Sequence, residues 1–167
     1  MLTAVATLAA SVVGVTTIAF AAAPSVTSAD AAAEGLPPSA VEEFTYPNAA
    51  RVLAEEGILL KSGDGHILLA QCNFTGNQIR VQTVADAAVG RKELYCFEAT
   101  SPTGYVALEL PRVFALEAAD QPISADLTAE GETTTWNLAK GQFVSVGEGD
   151  RPSGGKRSVL VEIRVTG

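Results

Sequence analysis

Hydrophobic and polar residues follow different patterns in successive stretches of the chain. Residues 2–23 are almost all apolar or small, and the first charged side chain is Asp30. Residues 32–45 are small, acidic and proline-containing (Glu34, Gly35, Leu36, Pro37, Pro38), with no period, and predict a flexible lead-in. Ordered structure is then expected over 46–167. Ala49, Val52, Leu53 and Glu56 recur at helical spacing, Pro47 suits a first helical turn, and Gly57 supplies a left-handed stop. This predicts one short helix laid on a sheet.

After Gly57 the period changes to that of strands. Segments 58–61 and 66–71 flank Ser62-Gly63-Asp64-Gly65, which reads as a hairpin turn. Further candidates are 78–84, 93–99, 105–110, 113–117, 123–128, 133–138 and 142–146. Segment 158–165 is the clearest, with Val159, Val161, Ile163 and Val165 alternating against Leu160, Glu162 and Arg164. The expected fold is mainly β: an antiparallel sandwich or small barrel of about eight or nine strands with one short N-terminal helix.

The apolar opening stretch changes where this domain is expected to work. Its length would permit a membrane-spanning helix, but small residues and A-x-A steps mark it instead as a cleavable export signal. We assign the signal to 1–31, with cleavage after Ala31 rather than after Ala21. A basic opening is missing, since the first positive residue is Arg51. The simplest explanation is a true start upstream of Met1. No cysteine precedes Cys72 to take a lipid, and segment 158–165 is followed by no apolar tail, so release into the medium is expected, with no membrane contact after cleavage.

Charge narrows the partners. The chain carries a formal net charge of −8, all of it beyond the export segment's apolar run. An acidic surface repels phosphate backbones and anionic lipid, so neither nucleic acid nor a membrane is expected as partner. Cys72 and Cys96 are the only cysteines. In an exported chain they read as one disulfide, closing a loop of about 25 residues and contributing roughly 3 kcal/mol.

Catalytic and cofactor motifs are weak throughout. Gly149-Asp150-Arg151-Pro152-Ser153-Gly154-Gly155 superficially resembles a serine-protease loop, but extra residues, one a proline, displace the nitrogens an oxyanion hole needs. Gly154-Gly155-Lys156 is followed by Arg157 and a strand, not by Ser or Thr and a helix, which rules out a phosphate loop. Asp64 beside His66 lacks the alternating carboxylates of a calcium loop, so turn chemistry explains it. Two cysteines and one histidine do not make a structural zinc site. No metal or other cofactor is therefore expected. Paired carboxylates for hydrolysis are available among Glu93, Glu98, Glu109, Glu117, Asp126, Glu130, Glu132 and Glu162, although sequence does not say which converge.

Aromatic residues offer a different function. Tyr95 and Phe97 share a strand face opposite Cys96, and with Tyr105 they are the expected ligand-binding residues. Trp136 is expected in the core. Asn73-Phe74-Thr75 is a glycosylation sequon that matters only in a glycosylating host. The expected function is a secreted, non-enzymatic module binding a protein or cell-surface glycan. Alternatives are an extracellular hydrolase using paired carboxylates, and an inhibitor of secreted proteases presenting loop 147–155.

Tyr46-Pro47-Asn48-Ala49-Ala50, the run from Gly57-Ile58-Leu59-Leu60-Lys61 through Gly63-Asp64-Gly65-His66-Ile67-Leu68-Leu69 to Cys72, and Thr103-Gly104-Tyr105 resemble small secreted actinobacterial proteins of unassigned function. The resemblance implies export and a shared scaffold, and it carries no functional residues.

Overall fold

The computed structural model describes residues 44–73 and 76–167. The expected export segment (1–31) and all of the lead-in except Phe44 and Thr45 lie outside the described residues, as do Phe74 and Thr75 of the sequon. Helix α1 (Ala49–Glu56) is followed by β1 (Leu59–Gly63), β2 (Ile67–Ala70), β3 (Gln78–Thr83), β4 (Leu94–Ala99) and β5 (Thr103–Pro111). The remaining strands are β6 (Val113–Glu117), β7 (Ile123–Ala129), β8 (Glu132–Leu138), β9 (Phe143–Ser145) and β10 (Val159–Thr166).

All pairings are antiparallel. The front sheet has the order β1-β5-β10-β7-β8, and the back sheet the order β2-β4-β3-β6-β9. The fold is thus a sandwich rather than a closed barrel, and each of the ten candidate segments forms its own strand among the described residues, against the expected total of about eight or nine. Its core lies between the sheets. Leu60, Val106, Leu108, Leu110, Leu127 and Leu160 from the front meet Ile67, Ile79, Val81, Tyr95, Phe97 and Leu116 from the back, none more than 3% exposed. Burying one such side chain stabilises the fold by roughly 1.5–3 kcal/mol.

The expected hairpin at 62–65 is not one. β1 pairs with β5 in the front sheet and β2 with β4 in the back, so the turn carries the chain around a corner of the sandwich. Asp64 fixes that corner: its carboxylate accepts the His66 N–H at 3.0 Å and the Tyr105 N–H at 3.2 Å. Gly, Asp and Gly specify a sharp change of direction, but not the neighbour that each strand then finds.

Two other expectations need correction. A β-bulge between Leu160 and Glu162 breaks the alternation expected in the last strand, so Leu160, Ile163 and Val165 face the core while Val161 does not. The helix starts after Asn48, which adopts a left-handed conformation with φ 58°, so Pro47 lies before the cap rather than in the first turn. At its other end Gly57 has φ 65° and donates its N–H to Leu53 O at 3.1 Å. A Cβ at Gly57 would sit 2.5 Å from Val89 O, so both conformation and space require glycine here.

No helix among the described residues is long and apolar enough to cross a membrane.

Candidate functional site

The back sheet holds the cysteines and two of the three predicted aromatic residues. Cys72 and Cys96 form a disulfide, with a Cα–Cα distance of 5.2 Å. Cys96 points away from the core on β4, and the segment ahead of β3 folds over it. Gln78, fully buried, holds that segment in place by donating to Gln71 O at 2.8 Å and accepting the Asn73 N–H at 3.0 Å. A polar side chain without such partners would be costly to bury.

Tyr95 and Phe97 are 2% and 0% exposed, so neither forms a binding platform. They do share the face opposite Cys96, but that face is the inward one. The Tyr95 hydroxyl donates to Glu56 O and accepts the Lys92 N–H at 3.0 Å, tying the end of α1 to the start of β4. Burial raises its phenol pKa above the ordinary value, which keeps this donor protonated. Trp136 is only partly buried, packed against the rim of the core near β8's open side.

Tyr105 is the predicted aromatic residue that reaches the surface, on the outward face of the front sheet. Cross-strand register places it opposite Arg164, Arg164 opposite Ser124, and Ser124 opposite Asn137. One row thus runs across β5, β10, β7 and β8. The next row runs through Ala107, Glu162, Asp126 and Thr135. These outward positions alternate with the buried residues Val106, Ile163 and Ala125.

Arg164 is held in place from two sides. Its guanidinium carbon lies 5.2 Å from the Tyr105 ring centroid, and its Nε pairs with Glu162. Such a cation–π contact, with an ion pair on the same strand, fixes a long side chain that would otherwise lose much entropy on binding. Asp126 accepts the Thr135 hydroxyl at 2.5 Å, and the Thr128 and Thr133 hydroxyls are 2.8 Å apart. The face therefore sets a planar cation against one aromatic ring, with carboxylates, hydroxyls and an amide on it and on the strands beyond. Sequence reasoning missed Arg164, Ser124 and Asn137. Their outward phase was visible, but their alignment depends on β10 lying between β5 and β7.

Most of the proposed catalytic carboxylates already have partners. Glu98 accepts from Asn77 at 2.9 Å, Glu117 pairs with Arg80 at 2.6 Å, Glu109 with Lys61 at 2.5 Å, and Glu130 with Lys156 at 2.7 Å. Asp126 and Glu162 are cross-strand neighbours on the outward sheet face. No group of three or more His, Cys, Asp or Glu side chains among the described residues is arranged to hold a metal.

The segment 147–155, expected as a loop, contains two short 3-10 turns, Gly147–Gly149 and Arg151–Ser153. Arg112, at the one-residue corner between β5 and β6 with φ 63°, grips Glu148 through two hydrogen bonds, one of 2.7 Å. The pairing lowers the Glu148 pKa below the usual carboxylate value and raises that of Arg112.

Two shallow grooves flank Leu94 on the back sheet. One, about 450 Å³, is lined by Gln82, Val84, Glu93 and Phe114, and the other, about 380 Å³, by Gln71, the disulfide and the Glu56–Lys92 ion pair.

Comparison of the sequence with protein-family models and with curated proteins returned no match.

Proposed function

We propose that this is an exported, extracellular, non-enzymatic binding module that engages a cell-surface glycan through the outward face of its front sheet. The row Tyr105, Arg164, Ser124 and Asn137 carries the reading. Sugars are recognised by side chains with paired donors and acceptors beside an apolar ring, and this row supplies both. A protein partner suits the face less well, because a stable protein interface is built around a cluster of apolar anchors and here Tyr105 stands among polar neighbours. The disulfide supports export, since such bonds persist in oxidising compartments. The resemblance to small secreted actinobacterial proteins and the apolar opening of the chain point the same way.

The test is co-sedimentation of the purified chain with insoluble cell-wall polysaccharide, alongside the variants Tyr105→Ala and Arg164→Ala. Retention of the wild type, with at least about tenfold weaker retention of both variants, is expected from loss of the ring and the planar cation. Equal retention of all three would move the site elsewhere, and no retention of the wild type would remove the glycan reading.

A further inference from the structure

A sandwich has four edge strands, each presenting backbone groups that can template another strand. Three of them here are protected. The edge of β1 is covered by the preceding segment: Tyr46 N–H donates to Lys61 O at 3.0 Å, Gly63 N–H donates to Phe44 O at 3.1 Å, and Thr45 bridges Ser62. On β2, the Tyr46 hydroxyl takes the Leu69 N–H at 2.9 Å. β9 is only three residues long.

Among the described residues, nothing pairs with the fourth edge, β8. It is seven residues long, pairs with β7 in unbroken register from Ala129↔Glu132 to Ile123↔Leu138, and contains neither proline nor lysine. Ala129 and Glu132 close the two-residue turn formed by Glu130 and Gly131, both with positive φ, so that pair is hydrogen-bonded and every second pair after it is too. Thr133, Thr135 and Asn137 therefore belong to the non-bonded pairs. Side chains approach more closely at such pairs, as the contacts of Thr133 with Thr128 and of Thr135 with Asp126 show. The N–H and C=O groups of Thr133, Thr135 and Asn137 accordingly point away from β7. Among the described residues, no strand pairs with them.

We propose that β8 is a self-association edge on which two copies of this chain pair antiparallel about a twofold axis at Thr135, joining their front sheets into one. The strand is self-complementary in three respects. Thr135 meets its own symmetry mate and Thr133 meets Asn137 of the other copy, giving about six backbone hydrogen bonds between uncharged residues. The acidic end of one strand, with Glu132 beside Glu130 in its pair with Lys156, runs beside the end of the other that leads to Lys140, whose side chain is 67% exposed and 3.6 Å from Asp120. On the inner side, Thr134 faces Trp136 of the second copy and the two Trp136 rings become diagonal neighbours. The exposed part of each ring, beside a recess of about 90 Å³ lined by Leu127, Thr134 and Lys156, is thereby covered. This inference does not depend on what the front face binds.

The test exploits the fact that the chain contains one tryptophan. Sedimentation velocity and tryptophan emission are followed on the purified full chain from about 1 μM to about 1 mM, a range that spans weak and moderate dimers. The expected result is a monomer–dimer equilibrium in which emission shifts to the blue as dimer forms. Thr135→Lys places two like charges directly opposite each other and leaves the chain monomeric across the range, with an unchanged melting temperature showing that it folds. Lys140→Glu weakens association by about tenfold, because symmetry repeats the lost attraction. The proposal is overturned if the wild type stays monomeric throughout, which would leave the edge to a foreign strand. It is equally overturned if Thr135→Lys dimerises like the wild type, or if dimerisation leaves the emission unchanged.

Discussion

The outward faces of the two sheets are built on opposite principles. The back sheet's outer surface is tied down: the disulfide, the buried Gln78 and the pair Arg80–Glu117 hold a loop and neighbouring strands against it. Among the described residues, the front sheet's outer surface carries no disulfide, and its strands are joined by exposed contacts such as Lys61 with Glu109 and Arg164 with Tyr105. Its polar side chains contact one another across strands and remain open to solvent, and its β8 edge is unpaired. The difference teaches that the covalent and buried ties lie on one side, whereas the other side's contacts stay at the surface, where its side chains can present chemistry. Substitutions on the back should therefore cost stability, and those on the front should cost binding.

The largest loss is expected deep in the back sheet. Phe97→Ala removes a ring that is 0% exposed and should destabilise the domain by about 3–5 kcal/mol in chemical denaturation. A cost below about 1 kcal/mol would mean the two sheets are more loosely packed than described. Replacing both cysteines by serine should cost roughly 3 kcal/mol, read as a lowered melting temperature under non-reducing conditions. Gln78→Ala leaves the Gln71 carbonyl and the Asn73 N–H to find new partners and should cost about 1–3 kcal/mol. A neutral result there would show that the disulfide alone holds the loop.

A smaller effect is expected at the corner where Arg112 grips Glu148. Because the folded state lowers the Glu148 pKa from 4.5, its contribution is present above that value and is lost as pH falls through the lower, folded pKa. Glu148→Gln should therefore flatten the acid limb of a stability-versus-pH curve, and an unaltered limb would contradict the assignment. The smallest effect is reserved for the front face. Arg164→Ala should change stability by no more than about 0.5 kcal/mol, whatever it does to ligand retention, and a loss comparable to that of Gln78→Ala would erase the contrast between the sheets.

Much of the fold was legible because alternation of apolar residues is a local signal. The helix, each strand segment and the disulfide follow from composition, period and cysteine count. Long-range choices were not legible. The turn at Asp64 looks the same whether it closes a hairpin or rounds a corner, and only the pairing of β1 with β5 decides. Tyr95 and Phe97 were placed on the correct common face, but which face points inward depends on the opposing sheet. The bulge at Val161 shifts the phase of β10 without any glycine or proline to announce it. For the candidate site, Tyr105 was visible as an aromatic residue on a strand, while Arg164, Ser124 and Asn137 become its neighbours only through the strand order.

That strand order also makes the candidate site depend on one strand. β10 is the last of the described strands in sequence yet occupies the middle of the front sheet, between β5 and β7. Within that sheet β5 and β7 are not neighbours, and each pairs with β10 on one of its two sides. Non-local pairing of this kind makes assembly slow and cooperative. Because Arg164 belongs to β10, the row from Tyr105 to Asn137 exists only when residues 159–166 lie between β5 and β7, with Arg164 against Tyr105 on one side and Ser124 on the other.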